Sequence, residues 1–229
     1  MLSILEKCNQ VTSLSLNIFF TKLVMMINII PIEYYIPPEE RYKLELEAKQ
    51  RARLDERMGF KRRDFTSKYR ERWVSDFYGL HGEYAVQRFF EENSIRYNVG
   101  EKFGSSYHDI THDFIVHTSS NNRYEIGVKT IVSIRYSNIS DFFKYKSYKD
   151  KVFYPYRGEG SELKGHGYPD FLIYCIYFPD HTPNYVSILG YVEKVAIKNS
   201  HIIKLYNKDT HIISVYSLRP VQSILKYLR

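Results

Sequence analysis

The stretch that most constrains this chain is Asp113–Ile131, which reads D-F-I-V-H-T-S-S-N-N-R-Y-E-I-G-V-K-T-I. Its middle, Thr118 to Asn122, consists of turn formers. The flanks, Phe114–Val116 and Tyr124–Ile131, are rich in β-branched and aromatic residues, and the whole has the pattern of a β-hairpin. With the turn centred near Ser120 and Asn121, antiparallel register sets Asp113 roughly opposite Gly127 and Val128. Side chains alternate along a strand with period two, so residues 125, 127 and 129 share one face. An acid and a lysine, Asp113 and Lys129, are thereby expected to converge at one end of the hairpin.

An acid opening one strand, a hairpin, and G-V-K-T on the next strand together resemble the PD-(D/E)xK nuclease superfamily, whose pattern is acid, hairpin, acid-x-Lys. The match departs at one place: two residues before Lys129 stands Gly127 instead of an acid. Glu125 is the nearest acid on that face, and at roughly 3.3 Å per residue its Cα lies about 13 Å from that of Lys129. The resemblance allows the second metal carboxylate to come from elsewhere. G-L-H-G-E at 79–83 resembles the superfamily's helix before the hairpin, whose glutamate reaches the metal. Glu83 would then supply what Gly127 lacks. Glu125 is the other candidate if a β-bulge at Gly127 compresses the strand. The resemblance also implies Asp113 as the central ligand of a Mg²⁺ ion (Mn²⁺ as substitute), the Val128 carbonyl as a backbone ligand, and Lys129 orienting the attacking water. Two plainer readings stay open: Glu83 as a favourable carboxylate in the first turn of a helix beginning near Gly82, and Lys129 as a structural ion-pair partner.

Charge agrees with a polyanionic partner. There are 33 Lys and Arg against 26 Asp and Glu, a formal charge of +7, and 22 tyrosines that could stack on bases or fill strand cores. Cys8 and Cys175 stand far apart without metal-ligand spacing, so neither a disulfide framework nor a zinc site is expected, which points to a reducing compartment. The apolar second half of residues 1–30 is interrupted by Lys22 and two asparagines. It fits neither a signal peptide nor a membrane span. A cytoplasmic or nucleoid-associated protein that is not secreted and not membrane-bound is expected.

Along the chain, P-P-E-E at 37–40 and Gly59 bracket a helix of about twenty residues. The basic, aromatic stretch that follows offers Lys61, Arg62, Arg63, Lys68, Arg70 and Arg72 to phosphates. Residues 97–103 read as a weak strand. In H-D-I-T-H-D, His108 and His112 would hold a transition metal only on a helix, whereas the segment runs straight into a strand, and Asp109 suits a turn. After the hairpin, a second basic and aromatic stretch carries Lys144, Lys146, Lys149, Lys151 and Arg157, read either as a strand-recognition surface or as a solvated helix. D-F-L-I-Y-C-I-Y-F after Pro169 reads as a central strand buried on both faces, Tyr185–Val192 as another, Thr210–Leu218 as an edge strand, and Pro220–Leu228 as a closing helix.

The expectation is therefore an α/β protein with a restriction-endonuclease-like three-layer core, a central mixed sheet flanked by helices. Residues 1–78 would form an N-terminal segment and basic helical arm, and residues 79–229 the nuclease core. The expected function is Mg²⁺-dependent endonucleolytic hydrolysis of DNA. The alternatives are a non-catalytic DNA-binding protein on a decayed nuclease fold and a structure-specific or RNA nuclease of the same fold. A homodimer or higher homo-oligomer is compatible with all three.

Overall fold

The computed structural model describes residues 30–57, 72–99, 113–145, 151–159, 167–205 and 207–229. The chain forms β1 (Ile32–Tyr35), α1 (Pro38–Arg57), α2 (Arg72–Glu92), β2 (Tyr97–Val99), β3 (Phe114–His117), β4 (Arg123–Val132), α3 (Ile139–Tyr145), β5 (Lys151–Pro155), β6 (Phe171–Tyr177), β7 (Tyr185–Glu193), α4 (Lys194–Lys198), β8 (His201–Leu205) and β9 (Lys208–Ser214). It closes with 3₁₀ turns and α5 (Leu225–Leu228). Six strands make a mixed sheet in the order β1-β7-β6-β4-β3-β2, in which β4 and β6 run parallel and the other pairs antiparallel.

The expected hairpin is present. Thr118 N–H donates to the Asn122 carbonyl and Asn121 N–H to the Thr118 carbonyl, a tight loop that needs a left-handed residue at its end. Asn121 takes that conformation at φ 61°, one that asparagine tolerates better than most side chains. The apolar run after Pro169 is β6, buried at all seven positions. Its alternate side chains enter two different cores. Phe171, Ile173, Cys175 and Tyr177 pack with Ala85, Val86, Phe89 and Phe90 of α2. Leu172, Tyr174 and Ile176 pack with Phe142 and Phe143 of α3, Val152 and Tyr154 of β5, Ile197 of α4 and Ile213 of β9. At about 1.5–3 kcal/mol per fully buried large side chain, this strand ties both layers to the sheet.

Several expectations change. The helix expected to begin near Gly82 begins at Arg72, so Glu83 stands in its middle and the first-turn reading of that carboxylate falls. Gly82 is inside the helix because α2 approaches the sheet closely there: a Cβ would lie 2.1 Å from Thr130 Oγ1 and 3.2 Å from Cys175 Cβ. The boundary expected at 78/79 cuts this helix. Upstream of it, β1 pairs with β7, and Ala48 of α1 packs on Phe77 and Leu80. The stretch after the hairpin is not a solvated helix. It folds into α3 with Phe142 and Phe143 buried, and then into β5. The strand expected at an edge, β9, is the middle of a separate three-stranded antiparallel sheet, β5-β9-β8. Its side chains serve that second sheet, whose other strands β5 and β8, at 5 residues each, are too short to stand out as strands in the sequence. Residues 1–29, His108, Asp109, His112, Lys61, Arg62, Arg63, Lys68, Arg70, Lys146 and Lys149, like the side chain of Arg72, lie outside the described residues. Among the described residues, no helix is long and apolar enough to cross a membrane.

Candidate active site

β3 ends its pairing with β4 at Phe114↔Ile126, and β4 continues past that point, leaving the next position along its edge to the residue before Phe114. Asp113 fills it. Its backbone N–H donates to the Ile126 carbonyl at 2.8 Å, and its Oδ2 accepts the Val128 N–H at 2.6 Å. A strand residue directs its N–H and its C=O toward the same neighbour, so the Val128 carbonyl faces the same edge as the Asp113 carboxylate. The next residue, Lys129, is exposed. It shares a sheet face with Gly127, because β4 and β6 stay in register as Gly127↔Leu172 and Lys129↔Tyr174. Asp113 and the Val128 carbonyl thus share one edge at the end of the hairpin, and Lys129 is the next residue along β4.

Two features bear on the missing acid. A Cβ on Gly127 would meet Pro169 Cγ at 3.0 Å and Leu172 Cδ1 at 3.2 Å. Apolar atoms therefore fill the space where the side chain of an acid-x-Lys motif would emerge. No bulge re-aims Glu125 either, since β4 pairs residue for residue with β6 from Ile126 to Val132. The Glu125 carboxylate instead meets Arg123 at 2.7 Å. Glu83 lies on α2, which packs against the face of β4 carrying Ile126, Val128 and Thr130. Its Oε2 stands 3.4 Å from the largely buried guanidinium of Arg51, which also pairs with Glu47.

The other face is roofed by residues that the sequence did not single out. Tyr154 and Tyr168 belong to the core formed with Leu172 and Tyr174. Tyr168 accepts the Arg157 N–H at 3.0 Å and bonds His211 Nε2 at 2.8 Å, while His211 Nδ1 bonds Ser200 Oγ at 2.9 Å. The Ser200 hydroxyl donates to the Ile197 carbonyl, so the imidazole donates through Nδ1 and accepts from Tyr168 through Nε2. Burial lowers the His211 pKa, which keeps that tautomer neutral. Burial also pushes the Tyr154 phenol up to about 12; the Arg157 guanidinium opposes the rise and the Asp113 carboxylate adds to it. Cys175 is likewise pushed up, by burial first and by Asp113 second. Asp170 was also missed. It opens β6, its Oδ2 accepts the Glu125 N–H at 2.9 Å, and its Oδ1 pairs with Lys194 at 3.2 Å. Its only signal was the acid heading an apolar run. Of the expected phosphate contacts, Lys144 is exposed, and Lys151 and Arg157 are half-buried.

One carboxylate, whose second oxygen has no hydrogen-bond partner among the described residues, and one backbone carbonyl on the same edge suit a hard divalent ion, which commonly takes one or two carboxylates and fills its other positions with water and substrate phosphate. Among the described residues, no group of three or more His, Cys, Asp or Glu side chains stands together as a ready-made metal cage. Compared with family models, with curated proteins and with solved structures, the chain matches none.

Proposed function

We propose that this chain is a metal-dependent nuclease of the restriction-endonuclease-like type that hydrolyses DNA phosphodiester bonds. The observation that carries the reading is the junction of Asp113, the Val128 backbone and Lys129 at the end of the β3–β4 hairpin, with helix α2 preceding it and the parallel strand β6 following. Asp113 and the Val128 carbonyl would hold Mg²⁺, and Mn²⁺ would substitute. When bound, the ion supplies Lewis acidity to the phosphoryl oxygens and to a bound water. Lys129 orients that water and offsets the negative charge that develops on the phosphate. With Glu125 unbulged and held by Arg123, Glu83 is the second carboxylate. Lys144, Lys151 and Arg157 lie on elements joined to the opposite face and give the DNA backbone its cationic contacts.

A second reading, a DNA-binding protein on a decayed nuclease fold, draws on Pro169 and Leu172 occupying the space over Gly127. Plasmid nicking with and without Mg²⁺ separates the two. The nuclease reading expects magnesium-dependent nicking that Asp113→Asn abolishes while DNA binding persists. Salt-sensitive binding with no nicking by the wild type in Mg²⁺ or Mn²⁺ favours the second reading.

A further inference from the structure

Arg157 has an unusual environment for a half-buried cation. Its guanidinium lies over the Tyr154 ring, 5.3 Å from the centroid, and one terminal nitrogen donates to the Gly167 carbonyl at 3.3 Å. Its Nε is buried without a hydrogen-bond partner. Both of these partners are neutral. A guanidinium is built to take two oxygens of a tetrahedral anion at once, and the unpartnered Nε leaves one donor of that fork unused.

The backbone under Arg157 is also fixed. Its N–H is held by Tyr168, which is held by His211, which is held by Ser200, a chain tying the end of β5 to β9 and to the turn after α4. Tyr168 precedes Pro169, the residue against Gly127, so it stands next to the face of β4 that carries Gly127 and Lys129. We propose that Arg157, carried on the second sheet, binds the phosphate that reacts at Asp113. It would be the phosphate-gripping wall of that site, not one contact among many along the DNA. The proposal rests on the nuclease reading for its substrate, but the anion site can be tested without it.

Inorganic phosphate is titrated by calorimetry, without metal, into the wild type, Arg157→Gln, Arg157→Lys and Asp113→Asn, and the same proteins are assayed for magnesium-dependent nicking. Phosphate should bind the wild type. Arg157→Gln should lose that binding, Arg157→Lys should keep part of it, and Asp113→Asn should bind several-fold tighter, because a carboxylate facing the same anion has been neutralised. Nicking by Arg157→Gln should fall by about 10²-fold in kcat/KM, the usual loss for one preorganised donor to a transition-state oxygen. Unchanged phosphate affinity in Arg157→Gln, or in Asp113→Asn, would overturn the proposal. Should Arg157→Gln fail to fold, the Asp113→Asn comparison with wild type decides by itself. A wild type that binds phosphate in this pattern yet nicks nothing leaves the anion site standing and removes the nuclease reading.

Discussion

The two faces of β4 are made from alternate residues of the same ten-residue strand and behave as different materials. Ile126, Val128 and Thr130 face α2, and Gly82 lets that helix come so close that Thr130 Oγ1 occupies the place of its missing side chain. On the other face, Glu125, Gly127 and Lys129 alternate charge with an absent side chain, and the covering comes from a loop and a second sheet. The first face is specified by complementary packing, in which volume is costly to change. The second is specified by what reaches the open edge, where individual groups can change without disturbing the core. Substitutions within β4 should therefore divide by face: stability at the residues turned to the helix, chemistry at Lys129 on the other.

The largest separation is expected at Lys129. Because the side chain is exposed, Lys129→Ala should leave unfolding free energy within about 0.5 kcal/mol of wild type. It should also lower magnesium-dependent nicking by about 10²–10⁴-fold, the range for loss of a group that handles the proton or charge of an attacking water. Parallel urea melts and nicking assays check both halves. A large drop in stability would put Lys129 among the packing residues and break the division.

On the helix side, His81 should impose a pH dependence. It is fully buried, its Nδ1 donates to the Phe77 carbonyl at 2.7 Å, and its ring stacks on Tyr177. Burial holds its pKa at about 4, with Arg41 pressing the same way and the Phe77 bond opposing. The unfolded chain takes up the proton near pH 6.5 and the folded one only near pH 4. Stability is therefore whole above about pH 6.5 and falls as the pH drops toward 4, by on the order of 3 kcal/mol. His81→Leu should flatten that slope in urea titrations between pH 7 and 4.5. A slope that survives the substitution would move its origin elsewhere.

A smaller contrast lies within α2 itself. Gly82→Ala forces a Cβ against Thr130 Oγ1 and Cys175 Cβ and should cost about 1–3 kcal/mol. At Gly79 nothing lies within 4 Å of the added carbon, so Gly79→Ala should stabilise the helix by about 0.5–1 kcal/mol. Equal effects at the two glycines, read from thermal or urea unfolding, would mean that the close helix–sheet approach is not what makes Gly82 necessary.

The hairpin and the buried central strand were legible in the sequence because local chemistry specifies them: a cluster of turn formers with an asparagine able to take positive φ, and an unbroken apolar run. The start of α2 was not legible. Gly79 and Gly82 read as helix breakers when taken alone, and only the contact with Thr130, about fifty residues away, explains a glycine in mid-helix. The second sheet escaped for a related reason. β5 is a short alternating strand inside a lysine- and tyrosine-rich segment, and its partner β9 lies more than fifty residues downstream. The roof over Gly127 depends on that sheet, so Tyr154 and Tyr168 carried no local signal of their place in it.

The smallest expected effect concerns Glu125, and it tests whether the open edge of β4 is as regular as its pairing. A bulge at Gly127 would have shortened the strand and swung Glu125 toward Lys129. Instead, Ile126↔Phe171 through Val132↔Tyr177 run without a shift, and the irregularity in this part of the sheet lies one strand over, between Tyr174 and Cys175 in the pairing of β6 with β7. Glu125 therefore stays with Arg123 in a partly exposed pair of a kind worth about 0–1 kcal/mol. Glu125→Gln should change stability by no more than that and keep nicking within about fivefold of wild type, whereas Glu83→Gln should abolish nicking and keep DNA binding. The opposite outcome, a dead Glu125→Gln beside an active Glu83→Gln, would require the strand to rearrange when metal and DNA bind, and would move the second carboxylate onto the face that Lys129 already occupies.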